Sequence, residues 1–171
     1  MPNWCNNSIT ISGPVDKIRA IWEKVTFDPE DTEVGLLEAM VPIGEWDYGT
    51  AVDTWGTKWD VSSEGLEFSD CGDGTAEITG WFDSAWAPPV GAYERFTEAN
   101  EDCSLEASYY EPGMDFGGFW RNGDDICFED LQSLLEQPTD EWSEEFSAFE
   151  VEYDLLSEEW RFEEDEEEVV E

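Results

Sequence analysis

Apolar and polar residues either alternate or recur at helical spacing along the first 128 residues. Ile9 and Ile11 alternate with polar neighbours, which predicts a half-buried strand over residues 7–12. After the break at Gly13-Pro14, apolar residues return every three or four positions, which predicts an amphipathic helix over about 14–25. The same patterns predict strands at 66–68, 75–82 and 105–109 and a short helix at 90–96.

The order of these elements indicates a fold class. A glycine-containing turn at 71–74 joins two of the strands into a hairpin, and Asn122-Gly123 predicts a second hairpin across 116–128. The order β-α-insertion-β-β-α-β is that of a ferredoxin-like split βαβ sandwich. We therefore predict an α+β domain over 1–128, with an antiparallel sheet and helices on one face. The insertion, at about 27–64, is rich in Trp and is expected to be irregular but packed.

The last third of the chain has a different pattern. From 129 to 171 there are 19 acidic residues and a single cation, Arg161. Large apolar residues recur there at spacings of 4, 3, 4, 3 and 4: Trp142, Phe146, Phe149, Tyr153, Leu156 and Trp160. This aromatic seam predicts an acidic amphipathic helical extension over 129–162, followed by an acidic tail over 163–171. Strict alternation over 149–155 leaves an edge strand as the alternative, and the Glu-rich composition favours the helix.

The charge balance excludes several classes of function. The 171 residues include 45 acidic residues, seven Lys and Arg and no His, for a net charge of −38. So few cations cannot neutralise phosphates, so direct binding to nucleic acid or to an anionic membrane is excluded. The absence of His removes the commonest general base and the commonest metal ligand, so we expect no enzymatic activity, no metal site and no cofactor.

Cysteine use and the lack of targeting segments indicate a cytoplasmic protein. The four cysteines form no CxxC pair and are predicted to be buried free thiols: Cys5, Cys71, Cys103 and Cys127. The first residues have neither a basic start nor an apolar run, so no signal peptide is predicted. No stretch of 18 apolar residues occurs, so no membrane span is predicted either.

The acidity is the main clue to function. A compact chain of this length is about 40 Å across, and 40 Å of duplex DNA carries roughly 24 charges. A net charge of −38 in a similar length destabilises its own fold by self-repulsion, so we expect a partner that favours this field. The sequence predicts a phage-encoded nucleic-acid mimic that inhibits a host defence or DNA-processing protein, such as a restriction enzyme, CRISPR effector, nuclease or glycosylase.

The carboxylates expected to pair with Arg and Lys of that target lie in the extension and the tail: Asp140, Glu141, Glu144, Glu145, Glu150, Glu152, Asp154, Glu158, Glu159, Glu163 and Glu164. Two alternatives stay open. One is a structural or adaptor module that pairs through the seam at 142–160 with a partner or with a second copy of the chain. The other is that the acidity serves solubility or adaptation to high salt.

Several segments of the chain resemble a family of phage and plasmid proteins, the YubB-like proteins with a ferredoxin-like domain. They are Met1-Pro-Asn-Trp-Cys-Asn-Asn7, Trp55-Gly-Thr-Lys-Trp-Asp60, Ser84-Ala-Trp-Ala-Pro-Pro89, Tyr110-Glu-Pro-Gly113 and Phe116-Gly-Gly118. The resemblance spans about 1–128 and implies the ferredoxin-like core and a mobile-element origin, without a known biochemical activity. Its motif residues are expected to be structural: Trp4, Trp55, Trp59 and Trp86 as packed side chains, and Gly56, Pro88 and Pro89 in turns.

Overall fold

Two compact units divide the chain, Met1–Glu129 and Asp130–Glu171. The structure is a computed structural model that describes residues 3–26, 35–153 and 155. Six strands and four helices of this part belong to the first unit, and two helices and a short 3-10 helix belong to the second.

An antiparallel sheet forms the first unit. Its strands are β1 (Trp4–Pro14), β2 (Leu66–Asp70), β3 (Thr75–Ala85), β4 (Ser104–Glu111), β5 (Phe116–Arg121) and β6 (Asp124–Glu129). They lie in the order β2-β3-β1-β4-β5-β6, and every neighbouring pair is antiparallel. The predicted α+β class and both hairpins are confirmed, and the strands extend further than the alternating patterns that revealed them.

Four helices accompany the sheet in this unit: α1 (Val15–Thr26), α2 (Leu36–Met40), α3 (Tyr48–Trp55) and α4 (Val90–Ala99). The first begins one residue later than predicted, because Pro14 is still paired with Thr75 in the sheet. The expectation of an irregular segment at 27–64 is wrong where α2 and α3 lie. The second of these is only eight residues long, and its ends are fixed by Asp47, which accepts the N–H of Thr50, and by a left-handed Gly56.

One face of the sheet carries the main core. Along β1, the side chains of Cys5, Asn7, Ile9 and Ile11 are buried, and the residues between them are partly exposed. The two isoleucines join a single cluster of buried side chains contributed by the sheet and by α1 to α4. Burying each such side chain stabilises the fold by about 1.5–3 kcal/mol. Helices therefore cover this face, as predicted for the first unit.

A buried polar network fixes one end of this core. The Asn7 amide donates to the Ser84 hydroxyl at 2.8 Å, and that hydroxyl donates to the carbonyl of Ala87 at 2.7 Å. Tyr93 donates to Asn7 Oδ1 at 3.4 Å. Because these contacts tie β1 to the segment before α4, Asn7 and Ser84 have structural roles here.

Of the four motif tryptophans predicted to pack, Trp55 alone is buried. Trp55 is 2% exposed and donates its indole N–H to the carbonyl of Val41 at 2.9 Å. Trp4, Trp59 and Trp86 are 45%, 40% and 44% exposed. These three indoles are therefore available at the surface of the first unit.

The second unit contains α5 (Leu131–Glu136), a 3-10 helix (Thr139–Glu141) and α6 (Glu144–Tyr153). Within the helical extension predicted over 129–162, α6 begins only at Glu144, two residues after the first aromatic of the seam, because the Ser143 hydroxyl accepts the N–H of Phe146 and caps the helix. Residues 149–153 are helical, so the edge-strand alternative is wrong for them. Residue 154 and the remainder of the predicted extension and tail, 156–171, lie outside the described residues.

Candidate functional site

The structure describes six of the eleven predicted partner-binding carboxylates. Asp140 and Glu141 lie in the 3-10 helix, and Glu144, Glu145, Glu150 and Glu152 lie in α6. All are exposed except Glu150, which is half-buried. The other five lie outside the described residues: Asp154, Glu158, Glu159, Glu163 and Glu164.

The carboxylates of α6 are closely spaced along its axis. Ten residues of helix span about 15 Å, and four of the ten are glutamates. That is one negative charge per about 4 Å, against one per 3.4 Å along each strand of duplex DNA. Glu145 and Glu152 are seven residues apart, so they lie on one side of the helix about 10 Å from each other. Because Glu150 is half-buried, the three exposed glutamates present about one negative charge per 5 Å of helix axis, a spacing of the same order as that of a nucleic-acid strand.

Aromatic packing within the second unit orients α6. The rings of Trp142 and Phe146 meet edge to face, with 5.0 Å between their centroids, and those of Phe149 and Tyr153 are also 5.0 Å apart. The Trp142 indole donates to the carbonyl of Leu134 at 2.8 Å, which ties the approach to α6 to the end of α5. Phe146 and Phe149 are 2% and 0% exposed, so these two members of the seam are not available to a partner chain without a rearrangement.

Most cations of the described chain have specific contacts within the first unit. Lys17 and Arg19 form ion pairs with Asp102 at 2.7 Å and with Asp70 at 3.1 Å. The others with such contacts are Arg95 on the carbonyl of Thr54, Lys58 over the ring of Trp59 and Arg121 over the ring of Phe119. In the sequence of the second unit, 18 acidic residues stand against one cation. The second unit therefore carries a large excess of negative charge.

The thiols do not form a nucleophilic or metal-binding centre among the described residues. Cys5 and Cys103 are buried, whereas Cys71 and Cys127 are exposed, so the prediction of four buried thiols is wrong for two of them. Burial, reinforced by the charge of Glu111, raises the pKa of Cys5 to about 12, and this thiol is protonated at neutral pH. Within the described ranges, no group of three or more Cys, Asp or Glu side chains is arranged to hold a metal ion.

A second surface feature is a groove on the face of β1 and β3 opposite the main core. It encloses about 420 Å³, and its lining includes Trp4, Trp81, Asp83 and Glu64. Sequence reasoning missed it by treating Trp4 as a packed residue. The alternating pattern of β1 indicates that Trp4 is exposed, because Trp4 points to the same face as the polar Asn6 and not to the face of the buried Ile9.

Comparisons with known proteins leave the function open. No family model matches the chain, and no curated protein matches it. Among solved structures, the chain is similar to protein api92 from Yersinia pseudotuberculosis, described as DUF1281, at 10% sequence identity and a TM-score of 0.42. That similarity covers 75% of this chain and 98% of api92. So distant a likeness carries no argument about function, and the resemblance to the YubB-like family stays a prediction.

Among the helices of the described residues, none has both the length and the apolar composition needed to cross a bilayer.

Proposed function

We propose that the protein is a phage-encoded, non-enzymatic inhibitor that mimics nucleic acid. It would act in the host cytoplasm, where it occupies the basic DNA- or RNA-binding cleft of a defence or DNA-processing protein. Restriction enzymes, CRISPR effectors, nucleases and glycosylases have such clefts. The observation that carries the proposal is the set of glutamates on α6, three of them exposed, whose axial charge spacing is of the same order as that of one DNA strand.

We also infer a ferredoxin-like split βαβ domain with an acidic C-terminal extension. The inference is supported by the order of β1, α1, β2, β3, α4 and β4 along the chain and by the neighbours β2-β3-β1-β4 in the sheet. In this interpretation the hairpin of β5 and β6 extends the sheet beyond β4, and α5 and α6 belong to the extension. The domain then serves as the scaffold, and the extension carries the densest charge, 18 acidic residues in the sequence 130–171.

The physical argument for mimicry is the charge imbalance of the second unit, whose sequence has 18 acidic residues and one cation. A basic cleft supplies several Arg and Lys side chains at once, and the long-range field of the protein accelerates the encounter. Each exposed ion pair contributes only about 0–1 kcal/mol, so the affinity depends on many pairs acting together. Single substitutions in α6 should therefore have small effects, whereas several together should have a large one.

The test compares two fourfold variants with the same net charge. One carries Glu141→Gln, Glu144→Gln, Glu145→Gln and Glu152→Gln. The control carries Glu23→Gln, Glu67→Gln, Glu94→Gln and Glu106→Gln, all at exposed positions of the first unit. The immobilised wild-type protein and both variants capture proteins from host lysate, followed by elution in a salt gradient, competition with duplex DNA and mass spectrometry.

We expect the wild type to retain a DNA- or RNA-binding protein that about half-molar salt and duplex DNA displace. The variant with four substitutions in the second unit should bind this protein about 10- to 100-fold more weakly, because four ion pairs together contribute about 1–3 kcal/mol. The control variant should stay close to wild type. Equal losses in both variants would show that only net charge matters, and a partner indifferent to both salt and DNA would refute mimicry.

A further inference from the structure

We propose that the groove between Trp4 and Trp81 binds the guanidinium group of an arginine presented by a partner protein. This inference concerns the first unit and is independent of the function proposed for α6. It rests on three features of the groove, namely the placement of one carboxylate between two indoles, the fixed position of both indoles, and a neighbouring aromatic ring that already holds a cation.

The register of the sheet places Asp83 between the two tryptophans. Trp81 precedes Asp83 by two residues on β3, and Trp4 on β1 is paired with Ala85, two residues beyond it. Side chains two residues apart on a strand point to the same face and are about 6.6 Å apart along it. Asp83 therefore lies on the same face as both indoles, two residues from Trp81 along β3 and diagonally across from Trp4 on β1.

Neighbouring residues fix both indole walls. A Cβ atom on Gly65 would lie 2.8 Å from Cε2 of Trp81, so the indole rests directly on the glycine backbone. Trp4 packs against Trp59, with 6.1 Å between the ring centroids and an interplanar angle of 40°. Because these contacts exist without a ligand, little conformational entropy is lost when a ligand enters.

The charge and chemistry of the groove select a cation. Asp83 and Glu64 are exposed carboxylates at its surface. Asp60 also lines the groove, but its carboxylate already accepts backbone N–H groups at the start of α2. Beside the groove, the ammonium group of Lys58 lies 4.2 Å from the centre of the Trp59 ring. The protein's own lysine thus shows that this aromatic cluster accommodates a positive charge.

A guanidinium group fits the arrangement better than an ammonium group. It is planar, so it stacks on an indole face, and its paired N–H groups match the two oxygens of a carboxylate. Trp4 and Trp81 are 45% and 55% exposed, so the groove is shallow. A small free cation would leave most of both indoles uncovered, whereas the protein surface around an arginine would cover them. We therefore assign the arginine to a partner protein.

The experiment titrates the full-length protein, labelled with nitrogen-15, with three probes at 0.15 M salt. They are an acetylated and amidated Gly-Leu-Arg-Leu-Gly peptide, the same peptide with citrulline in place of arginine, and L-argininamide. Two-dimensional NMR follows the indole N–H signals of Trp4 and Trp81, and those of the exposed Trp46 and Trp86 act as internal controls. The variants are Asp83→Asn, Trp81→Leu and, as a charge-matched control on α1, Glu23→Gln.

We expect the arginine peptide to shift the signals of Trp4 and Trp81 selectively. Its affinity should fall about threefold or more in Asp83→Asn and in Trp81→Leu and stay unchanged in Glu23→Gln. Asp83→Asn retains an oxygen that can accept the hydrogen bond now donated by Asn6, so this variant should keep the fold.

Three results would overturn the proposal. They are equal binding of the citrulline peptide, equal weakening in Glu23→Gln and Asp83→Asn, and shifts at Trp46 and Trp86 as large as those in the groove. Binding of L-argininamide as tight as that of the peptide would overturn the assignment to a partner protein, because the flanking leucines would then contribute nothing. None of these results depends on whether α6 mimics nucleic acid.

Discussion

Cys5 should make the protein lose stability at alkaline pH. This thiol is fully buried in β1, and burial, together with the nearby charge of Glu111, raises its pKa from 9.0 to about 12. In the unfolded chain the thiol regains its ordinary pKa. The folded state therefore holds the proton more tightly than the unfolded state between these two values.

The sign and the size of the effect follow from proton linkage. Because the folded-state pKa is the higher one, the contribution of Cys5 to stability is fully present below pH 9 and is lost as the pH rises towards 12. At pH 10.5 the thiol of the unfolded chain is almost fully ionised. Each pH unit above 9 therefore lowers the free energy of unfolding by about 1.4 kcal/mol. From pH 8 to pH 10.5, Cys5 should thus lower the free energy of unfolding by about 2 kcal/mol.

The assay is urea unfolding followed by tryptophan fluorescence at both pH values, with a reductant and constant ionic strength, for the wild type and Cys5→Ala. The alanine leaves a small cavity whose cost is the same at the two pH values, so it cancels in the comparison. We expect the wild type to lose about 2 kcal/mol more than the variant. If both lose the same amount, the alkaline loss comes from other groups and the argument for Cys5 fails.

Three further substitutions test buried polar groups of the first unit by urea unfolding at pH 7. Glu111→Ala removes a buried carboxylate that accepts two backbone N–H groups of the following turn, so stability should fall by about 1–3 kcal/mol. In the wild type, Asp60 Oδ2 accepts the backbone N–H of Glu38. Asp60→Asn places an amide NH₂ group opposite that N–H, so we expect a similar loss of stability. Asn7→Ala removes the amide that donates to the buried Ser84 hydroxyl, and stability should again fall. A loss of stability below about 0.5 kcal/mol in any of the three variants would contradict the role assigned to that residue.

The sheet was largely predictable because strand periodicity is a direct consequence of burial on one face. The alternation around Ile9 and Ile11 gave the position of β1, and the two turns with glycine gave the hairpins. The strand ends were harder to locate. The outer parts of β1 and β3 carry Trp4 and Trp81 on the face opposite the core, where large apolar residues do not follow the expected alternation.

Two of the helices that were missed or misplaced, α3 and α6, begin at a capping hydrogen bond. The Asp47 cap and the left-handed Gly56 define α3 over eight residues, too few for a clear period in the sequence. In the second unit, the Ser143 cap starts α6 after Trp142, although Trp142 continues the aromatic spacing. Periodicity reports which side chains are buried together, whereas capping decides where the helical backbone begins.

The placement of the cations connects the two proposed sites. Five of the six cations in the described chain bridge or stack on particular residues, and their exposed ion pairs contribute only about 0–1 kcal/mol each. They link elements of the first unit or stack on its rings, and with 45 acidic residues against seven cations most of the negative charge is not balanced by Lys or Arg of the chain itself.

The two proposed sites should nevertheless respond differently to salt. Attraction to the α6 carboxylates acts over many ångströms and should vanish in molar salt, where the Debye length is about 3 Å. An arginine held between Trp4 and Trp81 depends on direct aromatic contact, so a substantial part of its binding should persist. One salt titration of a partner that engages both sites would separate the contribution of the field from that of the groove.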